Sequence, residues 1–167
     1  MMRAAEARGA TLRLGRVTGL LRRGGRVAGV ELDGGTLEGD AVVIAMGPWS
    51  VLATQRLPLP PVFGLKGHSL VFAKDNAIPL EALFLECAEG AGSIVSPEIF
   101  PRSDGTNYAS AISIAAPLPV DPGLVVPDDG TIVRLQALCG AISPVLASSR
   151  VLANQVCFRL VTRTGCR

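Results

Sequence analysis

His68 is the only histidine in the 167 residues, and it follows Lys66 with Gly67 between them. An imidazole that titrates near neutrality can hydrogen-bond or relay a proton, so His68 is a candidate catalytic group. The alternative is a polar residue on the outer face of a strand, because no partner carboxylate is identifiable beside it. Lys66 and Arg102 are candidates to hold a carboxylate, the guanidinium by a two-pronged match, with surface solvation as the other reading for both. Tyr108, at the end of a hairpin pattern, could orient a small molecule or pack against a neighbouring strand. Trp49, the chain's one tryptophan, stands just past Gly47-Pro48, which closes the apolar run 41–46. Strand ends of this kind in open α/β sheets face ligands; an aromatic that anchors the turn to the core is the alternative.

Other chemistries find little support. Cys87, Cys139, Cys157 and Cys166 lie far apart with no C-x-x-C pair, so neither a zinc site nor a disulfide framework is indicated, and no metal ligands are assigned. Cys157 reads as a small buried hydrophobe. No Ser/His/Asp or Cys/His arrangement can be assembled. Gly90-Ala91-Gly92 imitates the opening of a dinucleotide-binding turn, but Val95 occupies the third glycine's place and Ser96-Pro97 forbids an immediate helix. That segment reads as a loop.

These residues need elements to position them. Residues 6–10 read as a helix end, with Gly9 as the left-handed residue after the last turn. Residues 11–14, 17–22, 26–32 and 36–38 alternate apolar and polar, with turn signals at Gly24-Gly25 and Asp33-Gly34-Gly35, which predicts an antiparallel meander. A buried strand is expected over 41–46 and a short helix over 49–57. The prolines of 58–61 mark a region boundary. Beyond it, strands are expected over 62–73, 83–87, 94–101 and 106–111, the last two joined at Ser103-Asp104-Gly105. Asp128-Asp129 supply a helix cap, and Ile132, Leu135, Leu138, Ile142 and Leu146 recur at helical spacing, so 130–147 reads as one amphipathic helix that Pro144 bends or ends. Residues 155–162 read as a final strand.

Composition narrows the class. The chain is 49% hydrophobic and 18% charged, enough apolar material for a core. A net charge of +2 with 4% aromatics argues against a nucleic-acid partner. No window reaches the ~18 to 20 apolar residues that span a bilayer. The Arg-rich first thirty residues could mimic an import signal, but from Thr11 the arginines alternate with Leu and Val as strand positions do. A cytoplasmic location is expected, with organellar import as the alternative.

The run from Gly9 to Leu14, Val17, Gly29 to Gly35 and Asp40 to Ser50 resembles the second half of the flavin-binding domain of glycine/D-amino-acid-oxidase-like FAD-dependent oxidoreductases. Pro60 to Phe72, Ser96 to Tyr108, Arg134 to Pro144 and Cys157 to Thr162 are similar to its substrate domain. The resemblance implies an α+β chain: a partial FAD-binding domain, meander plus buried strand, over 1–57; a substrate-domain-like antiparallel sheet with one long amphipathic helix over 58–150; and a truncated return strand over 151–167. It implies FAD as cofactor, met by Val17, Ala45, Met46, Gly47 and Trp49. It implies an amine or amino-acid substrate held by Lys66, Gly67 and Arg102, with His68 and Tyr108 as catalytic candidates. The family's Gly-rich turn, whose backbone N–H groups and helix dipole hold the pyrophosphate, has no counterpart here, because no G-x-G-x-x-G occurs. The expected function is therefore an amine-oxidising flavoenzyme in truncated form with impaired cofactor binding. The alternative is a non-catalytic interaction fragment that associates with a full-length homologue.

Overall fold

The computed structural model describes residues 1–55, 57–60, 62–73, 78–90 and 92–162. Pro61, Ala91 and residues 163–167, with Cys166 and the end of the expected return strand, lie outside them. The chain forms two compact units, Met1–Ala45 and Met46–Arg167.

The first unit begins with α1 (Met2–Glu6) and leaves it through Gly9 at φ 91°, the left-handed exit expected of a helix end. β1 (Val17–Arg23), β2 (Arg26–Leu32) and β3 (Gly35–Glu38) form the expected antiparallel meander. Gly24 and Gly25, both at positive φ, make the two-residue turn whose twist matches the strands. Gly29 is required where it stands: a Cβ there would sit 2.1 Å from the Leu37 carbonyl oxygen. Two expectations fail in this unit. Residues 11–14 form no strand, and neither does the run 41–46, where Val43 is 87% exposed. An apolar run becomes a buried strand only if neighbours supply its ladder, and β1-β2-β3 closes without it.

In the second unit a 3-10 turn (Gly47–Ser50) runs into α2 (Val51–Thr54), the expected short helix. β4 (Val62–Phe72) is the long strand of a five-stranded sheet ordered β10-β4-β9-β8-β5, made with β5 (Leu83–Phe84), β8 (Glu98–Pro101), β9 (Asn107–Ala115) and β10 (Val151–Thr162). A separate hairpin pairs β6 (Cys87–Glu89) with β7 (Ser93–Val95). The strands expected over 83–87 and 94–101 are thus each divided; Pro97, which has no N–H to give a ladder, separates β7 from β8.

The single helix expected over 130–147 is two, α3 (Asp129–Ile142) and α4 (Pro144–Ser148). Ser143 is extended, at φ −145° and ψ 122°, as a residue before proline prefers. Asp128 caps α3, its Oδ1 accepting from the Thr131 N–H at 2.8 Å. Ile132, Leu135 and Cys139 of α3 and Leu146 of α4 close on Leu70, Phe72, Ile99, Ala109 and Ile112 of the sheet. Burial pushes the Cys139 thiol up to about 11, so it packs as an apolar group.

Leu135 is fully buried and Val133, two residues away, is largely exposed. Leu135→Ala should cost about 2–5 kcal/mol in urea unfolding, whereas Val133→Ala should change stability by no more than about 0.5 kcal/mol.

Candidate functional site

Side chains alternate across a strand, and pairing on both edges of β4 fixes which side each takes. Leu70 and Phe72 enter the core under α3, so Lys66 and His68 share their face; Leu65, Gly67, Ser69 and Val71 take the other. On β10, Arg159, Cys157 and Gln155 stand opposite Leu65, Gly67 and Ser69 and share that second face. On β9, Ser113 pairs with Gly67 and Ser110 with Ser69. Three residue steps on β9 therefore oppose two on β4, a bulge. Its effect is to turn both Ser110 and Ser113 to the second face while Ile112 stays in the core.

The second face carries the arrangement best suited to holding an anion. Arg159, exposed, lays its guanidinium across β4: Nη2 donates to Ser110 Oγ at 3.3 Å, and Nε comes within 3.2 Å of where a Gly67 Cβ would be. Glycine in a strand interior permits such close passage. The remaining guanidinium N–H groups are available for a planar oxyanion such as a carboxylate. Sequence reading missed Arg159; the signal was an interior glycine opposite a strand that carries an alternating arginine.

Next to it on the same face lies an aromatic row. Phe84 and Phe100 meet edge to face at 5.3 Å between ring centres, Phe100 and Tyr108 lie 6.3 Å apart, and the Arg102 guanidinium stands 5.0 Å above the Tyr108 ring. Tyr108 and Arg102 thus come together, stacked on each other. A shallow cavity of roughly 330 Å³ at the sheet edge is lined by Phe84, Leu85, Glu86, Ser96, Pro97 and Glu98, and by none of the residues singled out in the sequence.

His68 and Lys66 lie on the other side of the sheet from Arg102, Tyr108 and Arg159. His68 is 1% exposed, and its Nε2 accepts from the Asp128 N–H at 3.2 Å, at the start of α3. A ring that accepts at Nε2 carries its proton on Nδ1, which makes no hydrogen bond of normal geometry. Burial first, then the Lys66 charge, holds the His68 pKa below its ordinary value, with the Asp128 carboxylate and the Ile112 carbonyl pulling the other way. Cys157, expected to be buried, is exposed, because its register opposite Gly67 turns it to the second face.

Trp49 is half-buried. Its Nε1 donates to the Pro119 carbonyl at 2.7 Å and its ring meets Phe158 edge-on at 6.5 Å, which is the anchoring arrangement. Met46 and Gly47 beside it are exposed; Gly47 has φ 53° and nothing within 4 Å of a built Cβ, so backbone is open to close approach there. In the first unit, Val17 is 57% exposed at the start of β1 and Ala45 is exposed. Among the described residues, the only helix in that unit is the five-residue α1.

A family model described as DAO, FAD dependent oxidoreductase, matches residues 1–160. The chain belongs to that family. Among solved structures, this DAO-family chain is similar to glycine oxidase from Geobacillus kaustophilus: 23% identity, 96% of this chain against 40% of that one, TM-score 0.72. It is similar also to iminodiacetate oxidase from Chelativorans sp. BNC1, at 19% identity, 97% against 41%, and a TM-score of 0.70. Glycine oxidase from Bacillus cereus gives 18% identity, 87% against 37%, and a TM-score of 0.69. At such identities the likeness establishes the fold, α+β as expected from the sequence. The DAO-family chain spans 37–41% of the length of these structures. No helix among its described residues is long and apolar enough to cross a membrane.

Because the folded-state pKa of His68 lies below the unfolded value, its contribution to stability is present above about pH 6.5 and is lost as pH falls through the lower folded value. Urea unfolding of the wild-type chain between pH 7.5 and 5 should show this loss, and His68→Gln, which keeps an acceptor but cannot titrate, should flatten the curve.

Proposed function

We propose that the face of the five-stranded sheet that carries Arg159 receives an amine or amino-acid substrate of an FAD-dependent oxidoreductase, with Arg159 holding the substrate carboxylate. The observation that carries this reading is the guanidinium laid over Gly67 onto Ser110, which leaves further N–H donors for a carboxylate. The relatives' names support it: glycine and iminodiacetate each pair an amine nitrogen with carboxylate. In this reading residues 1–57 belong with the cofactor, 58–150 with the substrate, and 151–167 with the return to the cofactor. FAD, when bound, supplies the hydride acceptor for the carbon beside nitrogen. This chain's residues orient the substrate: Arg159 as anion holder, Gly67 as the space that lets it lie flat, Arg102 and Tyr108 as a stacked pair beside it. His68 and Lys66 act from the covered face, where His68 fixes the start of α3. Residence in the cytoplasm fits the widely spaced free cysteines.

Val17, Ala45, Met46, Gly47 and Trp49 are the cofactor-side residues of this proposal, and Gly47, with nothing within 4 Å of a built Cβ, would leave room for the cofactor. Without a glycine-rich phosphate turn, FAD retention by this chain alone should be weak. The unpaired apolar run 41–46 favours a second reading, an interaction fragment that offers this segment to a full-length homologue. Co-elution of the two proteins in size-exclusion chromatography would support that reading; separate elution would remove it.

Purified chain incubated with FAD and desalted should retain well under one equivalent of flavin by absorbance, and stoichiometric retention would contradict the weak binding expected here. Arg159→Gln should weaken binding of propanoate by about ten-fold or more in calorimetry, the scale of a lost charge-assisted hydrogen bond, while Arg159→Lys should recover part of it.

A further inference from the structure

The aromatic row beside Arg159 is not explained by folding alone. Phe84 is 69% exposed and still meets Phe100 edge-on. Phe100 and Tyr108 are each half-buried on the same face. Large aromatic surface left facing solvent in a contiguous row marks a binding surface more often than a packing need.

Register puts this row within reach of the anion holder. Ser110, to which Arg159 donates, stands directly opposite Glu98, and Phe100 is two residues along from Glu98 on the same strand face. Ser110 and Phe100 are therefore diagonal neighbours, about 7–8 Å apart. A guanidinium, a carboxylate and an aromatic platform thus meet across β10, β9 and β8, in the order in which a carboxylate, an ammonium and a ring follow one another in an aromatic amino acid.

We propose that this face selects a substrate with a large apolar or aromatic side chain: its carboxylate on Arg159, its amine nitrogen toward Glu98 and its ring on Phe100 and Phe84. The inference rests on the carboxylate assignment to Arg159 and adds the substrate class. Arg102, stacked on Tyr108, closes the Tyr108 end of the platform and directs the ring toward Phe100. The shallow cavity lined by Phe84 and Glu98 continues the platform toward β5, which gives room for a ring substituent.

The test is direct binding to the purified chain, by calorimetry, with phenylalanine, alanine, 3-phenylpropanoate and 3-phenylpropanamide as probes, each amino acid in both enantiomers. Phenylalanine should bind at least about ten-fold tighter than alanine. Phe100→Ala should erase most of that gap while leaving alanine binding within two-fold of wild type, about the resolution of such a comparison. Phe84→Ala, at an exposed position that folding does not need, should narrow the gap without altering the thermal midpoint, which guards against misfolding of the Phe100 variant. Glu98→Gln should weaken phenylalanine but not 3-phenylpropanoate, and Arg159→Gln should weaken every probe except the amide. Equal affinity for phenylalanine and alanine, no binding of phenylalanine, or a gap unchanged in both phenylalanine-to-alanine variants would overturn the platform. Failure of the carboxylate assignment is separate: there, Arg159→Gln would leave the acids and the amide unchanged relative to one another.

Discussion

The second unit depends on the register of β4, which is paired along both edges, by β10 on one side and β9 on the other. A slip of one residue would carry Leu70 and Phe72, both fully buried, out of the core to the second face and bring Ser69 and Val71 beneath α3. Leu70 and Phe72 would lose their contacts with Leu135 and Ile99 in the core, and every paired neighbour would change face with them. The packing of one face therefore determines what the other can present. Arg159, Ser110, Ser113 and the aromatic row owe their common surface to apolar contacts on the far side of the sheet.

The β9 bulge refines this division. Without the extra residue, Ser110 and Ser113 would point to opposite faces, because their separation is odd. With it, both reach the guanidinium side, and Ile112 still fills the core. The end of the sheet nearer Gly64 is closed by different means. A Cβ at Gly64 would come within 2.8 Å of Phe158 and 3.2 Å of Pro48, so the Gly47–Ser50 turn seats flush on β4 and β10, with Trp49 tied to the Pro119 carbonyl. Gly47 is thereby offered on a turn fixed by packing within this unit.

Elements whose determinants are local were legible in the sequence: the Gly24-Gly25 hairpin, β4 with its long apolar stretch, the turn before β9, and α3 with its Asp128 cap. What escaped was decided by distant partners. The run 41–46 has the composition of a buried strand but no neighbour in the meander. The helix expected through 130–147 breaks at Ser143, where the following proline excludes helical backbone. Parity was the harder problem. Adjacency in the sequence groups residues 66, 67 and 68 as one cluster, whereas strand geometry separates His68 and Lys66 from Gly67. Arg159 gained meaning only when β10 was paired to β4, which put it over a glycine ninety-two positions earlier in the chain. Family membership was legible from the order of individually weak motifs, and the family model matches residues 1–160.

The most direct measurement is a nuclear magnetic resonance titration of the isotope-labelled chain with phenylalanine, following backbone amides, the Arg159 Nε–H and the His68 ring. The two-faced sheet predicts shifts that gather on Arg159, Gly67, Ser110, Ser113 and Phe100, with His68 and the amides of α3 unmoved. Shifts centred on His68 and Lys66, with Arg159 silent, would contradict it.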